Sequence, residues 1–280
     1  MIILDTKEDY KNHINNLKSK GEIISLVPTM GNLHDGHLSL VKIAKKNSSK
    51  VITTIFINPL QFGKNEDFAS YPRTIKQDID KLKKHNCDIL FAPKSKNEVF
   101  NNFDDLKNLK AGTKGNILCG KIRPGHFEGV LKVVYMLFQL TQPNLSVFGL
   151  KDFQQLYLIK RMAKIHFPKL KIISAPTIRT KSGLALSSRN SYLDEKSVKI
   201  APLFYKILLD GINNLKKSNN IEETIKDITL NLEKNEFLVN YVSFLTTELE
   251  KIKLNTSNKK ILLSSVKLGQ TRLIDNIEFS

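Results

Sequence analysis

Two histidines three residues apart, His34 and His37, share the stretch Pro28-Thr29-Met30-Gly31-Asn32-Leu33-His34-Asp35-Gly36-His37 with two glycines. Residues three apart on a helical turn lie on one face, so both imidazoles can address one point. Two imidazole N–H donors would stabilise the charge that builds on an α-phosphate under attack. Gly31 lets the backbone approach an anion closely, and Gly36 lets a helix start pack against a base or phosphate. The His-x-x-His spacing also admits a metal, although no Cys or third His stands nearby. A solvated turn with incidental histidines is the plain alternative.

Four more clusters carry candidate chemistry. Asn58-Pro59-Leu60-Gln61-Phe62-Gly63 is followed by Glu66-Asp67 and Tyr71-Pro72-Arg73-Thr74. Asn58 and Gln61 offer donors and acceptors for a substrate with hydroxyls and a carboxylate, or build an ordinary turn. Arg123-Pro124-Gly125-His126-Phe127-Glu128-Gly129 reads as a tight loop before a helix, either closing over a phosphate or purely structural. In Phe148-Gly149-Leu150-Lys151-Asp152-Phe153-Gln154-Gln155, Gly149 permits close approach of a nucleotide and Lys151 supplies a point charge for a polyphosphate. Asp152 either caps the next helix or binds a ribose, and Gln155 can turn back toward the same crevice. In Arg179 through Asn190, the hydroxyls of Ser187 and Ser188 and the fork of Arg189 suit β- and γ-phosphates. Such a joining loop closes over nucleotide or is a flexible polar linker.

Arginine is scarce, with six residues against a lysine-dominated background. Arg73, Arg123, Arg179 and Arg189 all fall in Gly-, Pro- or Ser-rich turns, and an arginine kept in such a turn suggests, without deciding, that a planar, bidentate fork is wanted there.

The elements that must position these groups alternate. Glu22 to Val27, Val51 to Ile57, Asp88 to Ala92, Leu145 to Phe148 and Lys171 to Ala175 read as strands. Gly36 to Lys46, Thr74 to His85, Gly129 to Leu140 and Asp152 to Lys164 read as helices between them. That order predicts an α/β, Rossmann-like parallel sheet covered on both faces. After Pro176, helical stretches around Ser197 to Leu215 and Ile221 to Lys234 precede strands at Leu238 to Thr246, Lys260 to Leu268 and Leu273 to Phe279. This predicts a smaller α+β domain, with residues 1–177 as the nucleotide-binding domain and 178–280 as the second. Lys216 to Asn220 reads as a surface loop.

Composition sets outer limits. A hydrophobic fraction of 41% in 280 residues suits a soluble protein with real cores. No apolar run reaches the ~18 residues of a membrane span, and the first residues lack a signal-peptide pattern. Cys87 and Cys119 do not make a disulfide framework. Cys119 is an inert thiol or lies near a site. A reducing, cytoplasmic setting is expected. The net charge of +17 invites a nucleic-acid reading, but the lysines are scattered, and a positive surface also attracts anions such as ATP.

Taken together, PTMGNLHDGH, FINPLQFGKNEDFASYPRT, RPGHFEGV, VFGLKDFQQL, GLALSSRN and TRLIDN resemble the pantoate–β-alanine ligase family of the nucleotidylyltransferase superfamily. They run in family order and spacing from about residue 26 to residue 276. The resemblance implies ATP-dependent condensation of pantoate with β-alanine through a pantoyl adenylate, with Mg²⁺ accompanying ATP. It also implies a homodimer whose C-terminal domain acts as a lid. ATP contacts are implied at Met30, Gly31, Asn32, Leu33, His34, Asp35, Gly36 and His37, at Gly149, Leu150, Lys151 and Asp152, at Ile178, and at Leu186, Ser187, Ser188 and Arg189. Gln61 and Gln155 would bind pantoate, with Gln61 near β-alanine too. His37, with His34, Lys151 and Arg189, would carry the catalytic charge stabilisation.

Some positions depart from the family pattern: Thr180-Lys181-Ser182 replaces acidic residues, Asn144 an Asp, Lys132 a Thr and Leu150 a Glu. At Leu150, a contact to ATP would have to come from the backbone. Another nucleotidyl transferase with the same histidine motif, or a reduced tRNA-synthetase-like adenylating enzyme, is the nearest rival. A basic nucleic-acid-binding module, whose affinity would fall steeply with salt, ranks last because it leaves the histidine pair without a purpose.

Overall fold

Short runs of Val, Ile, Leu and Thr bounded by polar turns form the strands of the first of two sheets. The structure, a computed structural model, describes residues 1–64, 66–100, 106, 109–253 and 259–280. Asn65, inside the motif that follows Asn58, lies outside the described residues. Two compact units are present: Met1–Leu150 with Gln154–Pro176, and Lys151–Phe153 with Thr177–Ser280.

The first unit is built on β1 (Ile2–Leu4), β2 (Ile24–Thr29), β3 (Lys50–Ile55), β4 (Ile89–Phe91), β5 (Leu145–Gly149) and β6 (Lys171–Ala175). All pair in parallel, in the order β1-β4-β3-β2-β5-β6. Crossovers are made by α2 (Asp35–Asn47), α3 (Ile75–Lys84), α5 (His126–Thr141) and α6 (Phe153–His166), with α1 (Lys7–Ser19) and the short α4 (Cys119–Ile122) besides. Buried cores lie on either side of the sheet, one around Leu26, Ile52, Phe91, Val134 and Phe138 and the other around Val27, Val41, Val51 and Leu90. This is the Rossmann-like architecture expected from the alternation. From β2 the chain moves outward through β3 and β4 and then returns to place β5 beside β2. That reversal is the switch point at which open α/β sheets bind ligands, beyond the strand carboxyl ends.

Several bounds differ from the expectation for local reasons. β2 continues through Pro28 and Thr29, opposite Thr54 and Ile55, and so delivers the chain directly into the His34 loop. Arg123 to Gly129 is not all loop. Gly125, at φ +80°, begins α5, and Gly129 N–H closes its first turn on the Gly125 carbonyl at 3.1 Å. β1 and α1 were not anticipated, although Tyr10, Ile14 and Leu17 line the buried face of α1 at helical spacing and Thr6 caps it. Cys87 is buried, which pushes its thiol up. Cys119 opens α4 half-buried, its N–H donating to Gln154 Oε1 at 3.1 Å.

The second unit carries α7 (Glu195–Ile200), α8 (Leu203–Ser218) and α9 (Ile221–Lys234), then β7 (Leu238–Thr246), β8 (Lys260–Leu268) and β9 (Thr271–Phe279). The three strands form an antiparallel sheet in sequence order. Phe204, Leu208, Ile228, Leu262 and Val266 are at the centre of its core. Lys216 to Ser218 belong to α8 rather than to a loop, because the helix stops only where Asn219 turns left-handed at φ +53°. Among the described residues no helix is long and apolar enough to cross a membrane.

Candidate active site

The loop leaving β2 is held by a residue far away in sequence. Gly31 (φ +82°) and Asn32 (φ +49°) turn left-handed, which costs energy in a non-glycine residue and needs support. The support is Asp78 on α3, fully buried, whose carboxylate accepts from Asn32 N at 2.9 Å, Leu33 N at 2.8 Å and Thr74 Oγ1 at 3.1 Å. Lys81, one turn along the same helix, donates to the Leu33 carbonyl at 2.6 Å. One face of α3 therefore grips both ends of the Leu33 residue, while the Leu33 side chain is buried in the core. A Cβ on Gly31 would stand 3.0 Å from Ile55 Cγ2 and 3.2 Å from Asp78 Oδ2, so glycine is required here on two counts.

The histidines follow as the cap of α2. His34 is the N-cap, its Nδ1 accepting from Gly36 N at 3.1 Å, and His37 Nδ1 accepts from His34 N at 3.4 Å. This is a capping box made with imidazoles. Because both Nδ1 atoms accept, the neutral rings carry their protons on Nε2. The rings lie 4.1 Å apart between centroids. Local capping therefore fixes the tautomer of both histidines, with their Nε2 protons at a helix N-terminus, where the backbone already favours an anion.

Gln61 sits in a second built group. Asn58 is fully buried: its Oδ1 accepts from Leu60 N at 3.2 Å, and its Nδ2 donates to Gln61 Oε1 at 3.1 Å and to the Gly129 carbonyl at 3.0 Å. The bond from Asn58 fixes the Gln61 amide with its nitrogen toward Met30, Nε2 lying 2.8 Å from Sδ. The Gln61 backbone carbonyl accepts from His126 Nδ1 at 2.8 Å and from Arg123 Nη2 at 3.4 Å. Arg123 also forks onto Glu66, with both bonds 2.6 Å, and reaches His126 Nε2 at 2.7 Å. Gly129 closes the group from below, because a Cβ there would fall 2.1 Å from the Leu60 oxygen and 2.7 Å from Gln61 Cα. The Arg123 loop thus shapes the Gln61 turn through protein contacts. Its guanidinium is committed to a carboxylate, which favours the structural reading of that loop.

Two other arginines are likewise spent on protein groups. Arg73 donates to the carbonyls of Phe68, Ala69 and Tyr71 in its own turn. Arg179 makes a bidentate pair with buried Asp275 at 2.6 and 2.7 Å and lies over the Tyr205 ring at 3.6 Å. The fork geometry was legible in the sequence, whereas the partners are protein groups.

In the second unit, Ile178 to Leu186 folds into a tight hairpin. Leu186 N donates to the Ile178 carbonyl at 2.9 Å and Thr180 N to the Leu184 carbonyl at 2.8 Å, with Gly183 at φ +99° in the turn. Ser187 then caps a 3-10 turn over Ser188–Tyr192, its Oγ accepting from Arg189 N at 3.3 Å. Lys151 is half-buried with Nζ 3.7 Å from Asp152 Oδ2.

Met30 to His37, Gln61, Gly149, Leu150 and Gln155 lie on the first unit, and Lys151, Asp152, Ile178 and Leu186 to Arg189 on the second. A Cβ on Gly149 would meet no protein atom within 4 Å, so packing does not demand glycine there. Gln155 is half-buried in α6; its neighbour Gln154 is the buried one, donating to the carbonyls of Lys114 and Ile117 at 2.9 and 2.8 Å. Asp78 and Lys81 were missed as positioning groups, whereas His126 and Gly129 fall in the Arg123 stretch, whose structural reading their contacts favour. Asp78 and Lys81 read as ordinary charged residues of a helix pattern, which gave no signal that could have found them.

Comparison with known proteins agrees across the chain. A family model described as pantoate-beta-alanine ligase matches residues 2–278. A pantothenate synthetase of Acinetobacter baylyi is 41% identical over 265 residues, covering 95% of this chain and 94% of the relative. Among solved structures, a pantothenate synthetase of Thermus thermophilus superposes with a TM-score of 0.86 at 33% identity, covering 99% of both chains. A pantoate-beta-alanine ligase of Francisella tularensis, complexed with beta-gamma ATP and beta-alanine, superposes at 0.82 with 38% identity, over 99% of this chain and 97% of that one.

Proposed function

Because this chain belongs to the pantoate–β-alanine ligase family, we infer the division of labour among its residues from the activity of that family. The protein is an ATP-dependent pantoate–β-alanine ligase. A pantoate carboxylate oxygen attacks the α-phosphorus of ATP and expels pyrophosphate. The β-alanine amine then attacks the carbonyl of the resulting mixed anhydride and AMP leaves, giving pantothenate.

The observation that carries the residue assignment is the imidazole capping box at the start of α2. His34 and His37 hold Nε2 protons and are proposed to donate to the α-phosphate as its charge rises, with His37 the principal donor. Met30 to Gly36 would form the rest of that nucleotide loop. The N–H groups of Asn32 and Leu33 already serve Asp78, so those two residues contribute through loop shape and their other atoms. Gln61 and Gln155 are proposed to hold pantoate, and Gln61 presents its amide nitrogen as the donor because Asn58 occupies its oxygen. Gly149, Leu150 and Asp152 are proposed nucleotide contacts, with Lys151 on the phosphates. Ile178 and Leu186 would be further ATP contacts, and Ser187, Ser188 and Arg189 would meet the departing pyrophosphate.

Mg²⁺ is proposed to arrive with ATP. Among the described residues no group of three or more His, Cys, Asp or Glu is arranged to hold a metal. That donor set fits an ion held by phosphate oxygens and water, the usual habit of Mg²⁺ with nucleotides, and it assigns no protein ligand. The family resemblance further supports a cytoplasmic homodimer whose second unit serves as a lid. The charge of +17 is then read as attraction for anionic substrates rather than for nucleic acid.

The test is AMP and pyrophosphate release from ATP–Mg²⁺ with pantoate, with and without β-alanine. Pantothenate equal in amount to AMP, and AMP formation requiring both substrates, is the expected result. Pyrophosphate release with other acids but not with pantoate would overturn the substrate.

A further inference from the structure

The motif Thr271-Arg272-Leu273-Ile274-Asp275-Asn276 has no part in the chemistry above, yet its last two residues make directed contacts to distant segments of the second unit. Asn276, nearly buried on β9, donates from Nδ2 to the backbone carbonyl of Lys151 at 2.9 Å, across 125 residues of sequence. Asp275, also buried, takes both ends of the Arg179 fork at 2.6 and 2.7 Å, and its Oδ1 accepts from Asn276 N at 2.8 Å. Arg179 in turn donates to the Gly183 carbonyl at 3.2 Å, across the hairpin that leads into Ser187, Ser188 and Arg189. Neighbouring strand residues send their side chains to opposite faces, so one dipeptide can reach two segments. β9 is paired to β8 along its length, with Asp275 opposite Ser264 and Asn276 opposite Leu263, which makes it a rigid base.

We propose that Asn276 and Asp275 are positioning residues for ATP: Asn276 sets the backbone that aims the Lys151 ammonium, and Asp275, through Arg179, sets the hairpin that presents Ser187 to Arg189. The inference rests on the reading of Lys151 and Ser187 to Arg189 as phosphate ligands. Neither Asp275 nor Asn276 needs to touch nucleotide. Their effect is confined to where two phosphate-binding segments stand, and small errors there are expensive in rate.

Removing the Asp275 carboxylate strips a half-buried guanidinium of its counter-charge and risks the fold, so the test turns on Asn276. Asn276→Ala deletes the donor, and Asn276→Asp keeps the shape but faces the Lys151 carbonyl with an acceptor. Ser264→Ala is the control, because Ser264 Oγ donates to the Tyr241 carbonyl at 3.0 Å in the same sheet and does not reach Lys151. Pantoate-dependent ATP–pyrophosphate exchange and thermal melting would be measured on each, beside Lys151→Ala. Both Asn276 variants are expected to lower kcat/KM for ATP by roughly 10- to 100-fold while the pantoate KM stays within about twofold. Ser264→Ala should lose melting temperature to a similar degree with ATP kinetics unmoved. If Lys151→Ala impairs ATP use but the Asn276 variants differ from Ser264→Ala only in melting temperature, the positioning role is wrong. If Lys151→Ala itself leaves ATP kinetics intact, the reading of Lys151 falls and takes this inference with it.

Discussion

The buried carboxylate of Asp78 lies 2.8 Å from the backbone nitrogen of Leu33, 45 residues earlier, and this bond holds the left-handed turn from which the histidine pair departs. Asp78 does not belong to the motif it supports, and its side chain is spent on backbone groups rather than offered to a ligand. An isosteric amide cannot accept with both termini. Asp78→Asn is expected to lose about 1–3 kcal/mol of stability and, with the loop slack, about tenfold or more in pantoate-dependent pyrophosphate release. Wild-type kinetics in a variant with a lowered melting temperature would separate the fold from the site and remove Asp78 from the positioning role.

The N-cap role of His34 and its proposed donation to phosphate can be pulled apart by substitution. Asparagine is a good helix N-cap, so His34→Asn should leave the melting temperature nearly unchanged, within about 0.5 kcal/mol. It removes the Nε2 donor, however, and adenylation should fall by about 10- to 100-fold. His37→Ala should cost about 100-fold or more by the same assay. Equal, mild losses in both variants, tracking stability alone, would reduce the pair to a helix cap.

Gly129→Ala inverts an ordinary expectation. Alanine in a helix interior is normally worth about 1 kcal/mol over glycine. Here the new methyl would overlap the Leu60 carbonyl, so urea titration should show a loss of about 1–3 kcal/mol. The Gln61 turn must move to make room, and the pantoate KM should rise well before the ATP KM does. A stabilised variant with unchanged pantoate saturation would show that the turn is not packed as described.

Arg123 and Glu66 are expected to act as one unit. Arg123→Lys keeps the charge but loses the fork and the bonds to His126 and the Gln61 carbonyl. It should raise the pantoate KM, and Glu66→Gln should raise it too, with the double variant little worse than either single one. Fully additive losses would mean that the two side chains reach Gln61 by separate routes.

Local chemistry made much of this protein legible before folding. β-branched runs between polar turns gave the six-stranded sheet most of its members, and the strand-turn-helix context of Gly31 to His37 placed that stretch between β2 and α2. Boundaries slipped where a local rule was outvoted. Pro28 reads as a strand breaker, yet β2 runs through it. His126 reads as loop, yet the left-handed Gly125 before it opens a helix. Scarcity drew attention to the arginines in turns, and Arg123 and Arg179 do make forks, but a guanidinium donates to carboxylate and phosphate alike. Nothing in the order of residues says that Arg123 meets Glu66 and Arg179 meets Asp275.

What the sequence determined by itself was therefore everything with a short period: the alternation of strand and helix, the glycines at turns, the histidine pair at helical spacing, and through their joint order the family. The tertiary structure decided the supports. Asp78 reaches back 45 residues to Leu33, His126 reaches 65 to Gln61, and Asn276 reaches 125 to Lys151. Such bonds carry no periodic signal, because they depend on which segments the sheets bring side by side. The groups proposed to do chemistry lie on loops that sequence can mark, and the groups that aim them lie on elements that only the folded chain brings near.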